Sequence, residues 1–249
     1  MSKFIERLQQ VLKPPIQSMG FNTAKSEQAR PKIQLVMDVA IAKSKTQPKE
    51  LEKADALLVP ISAVGVGKTI SGVQLSKGDA EEVEKSIKAG VDFIILPASG
   101  EVLPSDQKIG KILQVEAAIS DILLRTVSAL PVDAVLLKEE ENGLVLTWKR
   151  LMLIHRFSGL AGKPLLIEVL PTVAEIELQQ IWEAGVSGII VKTDAEQAET
   201  VALNLRNIID KLTFPSKRKQ EKSMAIVPHI ESVAEEPKED DGDGDGDDE

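Results

Sequence analysis

The sequence predicts an α/β protein: a single (β/α)8 barrel of the TIM type, with an N-terminal helix and a disordered acidic C-terminal tail. Three observations lead there. A helix–glycine–strand junction recurs along the chain. Eight short apolar runs alternate with helical patterns. The whole net charge sits in the last eighteen of 249 residues.

The junction is clearest at Lys88-Ala89-Gly90-Val91-Asp92-Phe93-Ile94-Ile95-Leu96 and is echoed at Glu183-Ala184-Gly185-Val186-Ser187-Gly188-Ile189-Ile190-Val191. Weaker copies run over Lys53–Val59 and Leu130–Leu137. In the two clear copies glycine stands where a helix needs a left-handed stop, and a short apolar strand follows. Strands apolar on both faces belong to parallel sheets covered by helices. A repeating helix–turn–strand unit therefore organises the chain.

Taken in order, Phe4, Ile5, Leu8, Val11 and Leu12 form a helical stripe that Pro14-Pro15 ends. Its polar face is not strongly basic, so it is expected to pack on the barrel rather than on a membrane. Strands are expected at Leu35–Ile41, Ala56–Pro60, Gly72–Leu75, Phe93–Pro97, Lys111–Glu116, Ala134–Lys138, Leu165–Val169 and Gly188–Lys192. Helices are expected at Asp79–Ala89, Ser120–Ala129, Thr147–Leu160, Val173–Ala184 and Ala195–Leu212. Asp79, Ser120, Thr147, Thr172 and Asp194 stand as their N-caps, and Asp79 with Glu82 has capping-box spacing. Ile61–Ser71 has no clear helical pattern, so that crossover is expected to be short or degenerate. Trp148 and Trp182 lie on helices and are expected to pack against the outer layer. Eight strands in this length is the barrel count, whereas an open doubly wound sheet more often carries five or six.

The charge divides sharply. Ser232–Glu249 holds ten acids against one base, a charge of −9, and the preceding 231 residues hold 29 bases and 29 acids. A neutral body with an acidic appendage argues against a nucleic-acid binder. The boundaries are expected at 1–30 for the N-terminal helix and linker, 31–213 for the barrel, 214–234 for an extension and 235–249 for the tail. The extension carries the basic run Lys217-Arg218-Lys219 and the apolar stretch Met224–Ile230. The tail has no apolar anchor and is expected to be disordered, adding solubility or engaging a basic protein partner. The chain has no cysteine, which excludes disulfides and thiolate chemistry. No secretory signal and no run of ~20 apolar residues occurs, so a cytoplasmic location without membrane insertion is expected.

Barrel enzymes work at the C-terminal ends of their strands. Aligning the repeats places Pro60, Pro97, Lys138, Glu168 and Lys192 at equivalent positions. Lys138, Glu168 and Lys192 then end strands six, seven and eight, and neighbouring strands lie ~4.8 Å apart. A carboxylate would stand between two ammonium groups. Asp38 on strand one closes the ring beside strand eight, and Gln114 or Glu116 ends strand five. In a functional reading a lysine in an apolar wall near other cations becomes a nucleophile or base, with Glu168 as acid/base. In a structural reading the same residues plug the barrel mouth or point outward. Strands apolar on both faces leave that parity open.

The body, from roughly Ile33 to Leu212, resembles the (β/α)8 barrels of the phosphate-binding superfamily, which include ribulose-phosphate-binding and flavin-linked members. The resemblance rests on the Ala-Gly-Val-Asp/Ser-x-Ile-Ile junctions. It implies a phosphate held by glycine-rich loops after strands seven and eight, where bare amides meet the anion. Those loops here read Leu170-Pro171-Thr172-Val173 and Thr193-Asp194-Ala195-Glu196, with no glycine and with acid nearby. The phosphate or flavin site is accordingly not carried over to this chain.

Other motifs are weaker. Gly65-Val66-Gly67-Lys68-Thr69 resembles a phosphate loop, but Ser62 stands where the motif needs its first glycine, and a strand follows instead of a helix. A βα loop over the mouth fits better, from which Lys68 could contact an anion. His155 falls on a helix and His229 beside Pro228; neither makes a metal-ligand spacing. Asp241, Asp243, Asp245 and Gly246 match half of a calcium loop without its closing Glu, so weak divalent binding is expected there rather than a folded site.

Two readings remain. In one, the protein is an enzyme of lyase, aldolase or isomerase type on a small anionic metabolite, with Lys138 and Lys192 as cation or amine and Glu168 and Asp38 as acid/base groups. In the other, it is a degenerate, non-catalytic barrel serving as a scaffold or partner-binding module, with the tail as contact arm. The Lys-Glu-Lys line favours the first. The missing phosphate loops and the scarcity of His, with no Cys or Tyr, favour the second.

Overall fold

Eight parallel strands close into a barrel in sequence order. They are β1 (Gln34–Ala40), β2 (Ala56–Leu58), β3 (Ile70–Gln74), β4 (Phe93–Pro97), β5 (Gly110–Glu116), β6 (Ala134–Lys138), β7 (Leu165–Val169) and β8 (Val186–Asp194). The computed structural model describes residues 2–12, 32–40, 53–64, 69–101, 109–139 and 144–213. All eight expected strands are present, with ends displaced by a residue or two. The barrel is sealed by β1 pairing with β8, with Asp38 opposite Lys192.

Side chains alternate between the two faces of a strand. One buried cluster, which includes Val36, Leu58, Phe93, Ile112, Leu136, Leu166 and Ile190, fills the barrel interior. The intervening residues, among them Leu35, Met37, Val135, Leu137, Ile167 and Val191, pack outward under the helices. That alternation settles the parity that the apolar runs conceal.

Helix α1 (Lys3–Leu12) plugs the lower, N-terminal end of the barrel. Phe4, Ile5 and Leu8 are buried in the interior cluster, whereas Val11 is half-buried and Leu12 exposed. The expected stripe is therefore shorter, because only the first two turns enter the barrel. The Asp92 carboxylate, just before β4, accepts hydrogen bonds from the backbone N–H of Lys3 and Phe4, both at 3.0 Å, and from Ser2 Oγ at 2.5 Å. An acid at the barrel floor thus satisfies the orphan donors of the plug helix.

The outer layer contains α2 (Ala80–Ala89), α3 (Asp121–Thr126), α4 (Trp148–Leu160), α5 (Glu175–Glu183) and α6 (Ala198–Lys211). Asp79, Ser120 and Thr147 cap α2, α3 and α4 as expected, accepting from the N–H of Glu82, Leu123 and Arg150. The Glu82 carboxylate, however, accepts from Lys77 and Gly78 rather than from Asp79. Gly90 (φ 80°) and Gly185 (φ 98°) adopt the left-handed stops that the repeat requires.

Three expectations need correction. Thr172 does not cap α5: it lies in a turn closed by Val173 N–H on Leu170 O, and the helix starts after Ala174, whose N–H is taken by Glu177 at 2.9 Å. Asp194 is the last residue of β8, and α6 starts after Gln197. Trp148 is 80% exposed, because the buried face of α4 carries Arg150, Ile154 and Phe157 and Trp148 falls on the opposite side. Trp182 is buried as expected. Among the described residues the crossover after β2 contains one 3-10 turn, Ile61–Ala63.

Candidate functional site

The interior parity continues beyond the last apolar layer. Asp38 follows Val36, Lys138 follows Leu136, Glu168 follows Leu166 and Lys192 follows Ile190, each two residues on and each therefore inward. All four stand at the upper, C-terminal end of the barrel, on β1, β6, β7 and β8. The structure brings Lys138, Glu168, Lys192 and Asp38 together, while Pro60 and Pro97, aligned with them at the ends of their strands, make no contact with the cluster among the described interactions.

Lys192 Nζ donates to Glu168 Oε2 at 2.9 Å, and Lys138 Nζ lies 3.5 Å from Oε1 of the same carboxylate. Each ammonium group thus holds one oxygen. The Glu168 side chain is 5% exposed, while those of Lys138 and Lys192 are 36% and 43% exposed. The carboxylate forms a floor and the lysines form a rim facing solvent. A buried carboxylate needs such partners, since an unpaired one would be expelled or protonated.

Asp38 completes the cluster. Burial pushes its carboxyl above the usual carboxylate range, Lys192 pulls it down, Glu168 pushes it up and Lys138 pulls it down, with burial dominant. Across the barrel mouth, Gln74 on β3 donates from Nε2 to Gln114 Oε1 on β5 at 2.8 Å. Gln114 belongs to the expected site, whereas Glu116, the other residue considered for strand five, is exposed at the strand end. Gln74 was not anticipated, although a lone amide in an otherwise apolar strand was a usable signal.

A second missed group supports Glu168 from behind. Arg150 is 4% exposed and donates from one terminal nitrogen to the Glu168 backbone O at 2.6 Å. Its Nε lies 3.0 Å from Glu139 Oε2, and its other terminal nitrogen donates to Leu144 O. Arg150 therefore clamps the end of β7 to both sides of the β6–α4 loop. Burial also raises the Glu139 carboxyl, against the lowering pull of Arg150. The signal was the position of Arg150, which shares the i, i+4, i+7 stripe of Ile154 and Phe157.

Beside the cluster lies a cavity of about 170 Å³, lined by Glu168, Lys192, Ile190 and residues of the loop after β7. It is smaller than the ~300–1,000 Å³ typical of drug-sized ligands, so it suits a compact metabolite. The first turn of α5 is acidic, and Glu177 already occupies the Ala174 N–H. A phosphate there would meet a carboxylate rather than bare amides.

Among the described residues no cluster of three or more His, Asp or Glu could hold a metal, and no helix is long and apolar enough to cross a membrane. His155 is exposed on α4. Gly65–Lys68, His229, the 214–234 extension and the acidic tail lie outside the described residues.

No family model matches this chain, and no curated protein matches it. Solved structures do. The chain is similar to a 3-hexulose-6-phosphate synthase at TM-score 0.55 and 15% identity, covering 71% of this chain and 100% of that one. It is similar to a mutant tryptophan synthase α-subunit from the hyperthermophile Pyrococcus furiosus at TM-score 0.52 and 11% identity, covering 73% and 98%. It also resembles an HpcH/HpaI aldolase from Desulfitobacterium hafniense DCB-2 at TM-score 0.50 and 12% identity, covering 73% and 94%. Likeness at such identities establishes architecture: the chain is a (β/α)8 barrel of the TIM type.

Proposed function

We propose that the upper end of the barrel is the active site of an enzyme of lyase, aldolase or isomerase type acting on a small anionic metabolite. One observation carries the reading: a buried carboxylate, Glu168, is shared by two solvent-facing lysines beside a metabolite-sized cavity. Lys138, Lys192 and Glu168 together hold one net positive charge, and burial shifts Asp38 toward its neutral form, a balance that favours an anionic substrate.

The chemistry follows from these contacts. Glu168 takes a proton from Lys192 Nζ, 2.9 Å away, and frees the amine. The amine attacks a substrate carbonyl. The attacking nitrogen passes one of its protons to the carbonyl oxygen, and Asp38, whose carboxyl burial shifts toward the neutral form, gives the second proton to the hydroxyl, which leaves as water. The resulting iminium then draws electrons from an adjacent C–C or C–H bond. Lys138 holds the substrate's anionic group or exchanges roles with Lys192.

Borohydride added with candidate carbonyl metabolites should leave a covalent mass adduct on the native chain, absent from Lys192→Met or Lys138→Met according to which amine reacts. Failure to trap any adduct removes the amine-nucleophile version. Acid/base chemistry would then rest on loss of turnover in Glu168→Gln and Asp38→Asn.

The second reading, a non-catalytic barrel used as a scaffold, is supported by the acidic turns after β7 and β8, where Glu177, Asp194 and Glu196 oppose a bound phosphate. In that case deletion of 235–249 abolishes capture of a basic protein partner and leaves the thermal midpoint unchanged.

A further inference from the structure

A second cavity lies outside the barrel wall, away from the lysine cluster. It measures about 300 Å³ and is bounded by the upper end of β4, the outer face of β5, and α3 with the turn that follows it. Helix α3, which forms one side of it, spans only six residues.

The walls are apolar and carry no aromatic ring. Leu113 and Val115 of β5 form the base, with Leu96 on one side and Val127 and Leu130 on the other. Lys111 enters at the lower end, where the residue is 8% exposed. Lys111, Leu113 and Val115 share one outward face, while Gln114 between them points into the barrel. The slot is therefore separate from the proposed active site.

Chemistry and length select a ligand. From Lys111 to Val115 the strand rises roughly 13 Å, the span of about ten carbons at the ~1.2 Å per bond of an extended chain. Apart from Lys111, the polar side chains lining the slot are Thr126 and Glu101. Glu101 follows β4, at the upper end, so an anionic head is repelled there and attracted at Lys111. The absence of aromatic walls favours an aliphatic chain over a ring that needs stacking.

We infer that this slot binds a medium-chain aliphatic carboxylic acid, its chain along β5 and its carboxylate on Lys111. Lys111 already interacts within the protein; the arriving carboxylate joins or exchanges with those contacts, and most of the binding comes from burying the acyl chain.

The test is calorimetric titration of decanoate, decanol and butyrate into the full chain. Decanoate is expected to bind saturably at one site, about tenfold or more tighter than decanol, while butyrate, too short to fill the slot, binds far more weakly. Leu123→Trp, at an exposed rim position, should block decanoate by filling the slot without disturbing the core. Lys111→Met should remove the preference for decanoate over decanol. No saturable decanoate binding, equal binding of decanoate and decanol to the native chain, or binding indifferent to Leu123→Trp would each overturn the inference. The head-group comparison uses the native chain, so it decides the matter even if Lys111→Met does not fold.

Discussion

The ring of Phe4 stacks on that of Phe93, with centroids 4.5 Å apart and planes at 28°, deep in the lower half of the barrel. The first turn of the chain is thereby part of the interior packing, 89 positions before its partner in sequence. Removing the Phe4 side chain opens a cavity that a closed barrel cannot collapse to fill. Phe4→Ala should destabilise by about 3–5 kcal/mol in urea unfolding. Leu12→Ala, on the exposed last turn of α1, should change stability by less than ~0.5 kcal/mol. Equal effects would mean that α1 lies on the barrel rather than in it.

Gly72 makes the same packing possible from the other side. A Cβ built there would sit 2.2 to 2.6 Å from three atoms of the Phe93 ring, closer than any real contact. Gly72→Ala must push Phe93 toward Phe4, and overpacking of this kind destabilises by about 1–3 kcal/mol. A smaller partner should relieve it. The double variant Gly72→Ala/Phe93→Leu is expected to be more stable than the two single effects added together, a coupling that a mutant cycle reads directly.

Glu168 should matter more to stability than either lysine, because its carboxylate is buried and theirs are rim groups. Glu168→Ala leaves two ammonium groups near one another over an apolar floor and removes both pairs, a loss of about 2–4 kcal/mol. Lys138→Met leaves Glu168 paired with Lys192 and should lose no more than ~1 kcal/mol. Chemical denaturation of both variants decides the order. The reverse ranking would show that the lysines' packing, rather than the carboxylate's pairing, holds the cluster.

Much of this was legible beforehand. Gly90 and Gly185 marked the repeat, since only a left-handed stop joins these helices to their strands, and the strand-end alignment then placed Lys138, Glu168 and Lys192 side by side. Parity was not legible. In β7, Leu165, Leu166 and Ile167 are all apolar because helices cover one face and the barrel interior the other, so alternation leaves no polar trace until Glu168. Helix starts are misplaced at Thr172 and Asp194 because a capping residue type is equally at home in a turn before the helix, as Thr172 is, or at the end of a strand that leads into one, as Asp194 is. Trp148 shows a different limit: its size predicts burial, but its angle around α4, opposite the buried Phe157, decides exposure. Arg150 was missed for the converse reason, a charged residue on a buried stripe that finds its partners on β7 and the preceding loop.

Asp38 connects the cluster to pH. Its ordinary value of 3.8 is raised in the folded protein chiefly by burial. The unfolded chain therefore releases this proton at lower pH than the native one. Stability contributed by Asp38 falls as pH rises from the ordinary aspartate range through the raised native value, and the penalty persists above it. Asp38→Asn keeps the shape and removes the titration. The variant should be more stable than the parent at pH 7, with an advantage that shrinks as pH is lowered toward ~4, where the native carboxyl takes up its proton and the unfolded one begins to do so. Urea midpoints of both proteins across pH 4 to 8 measure the difference. A variant less stable than the parent at pH 7 would show that Lys192 and Lys138 outweigh burial and hold Asp38 as an anion, which would remove it from the role of proton donor.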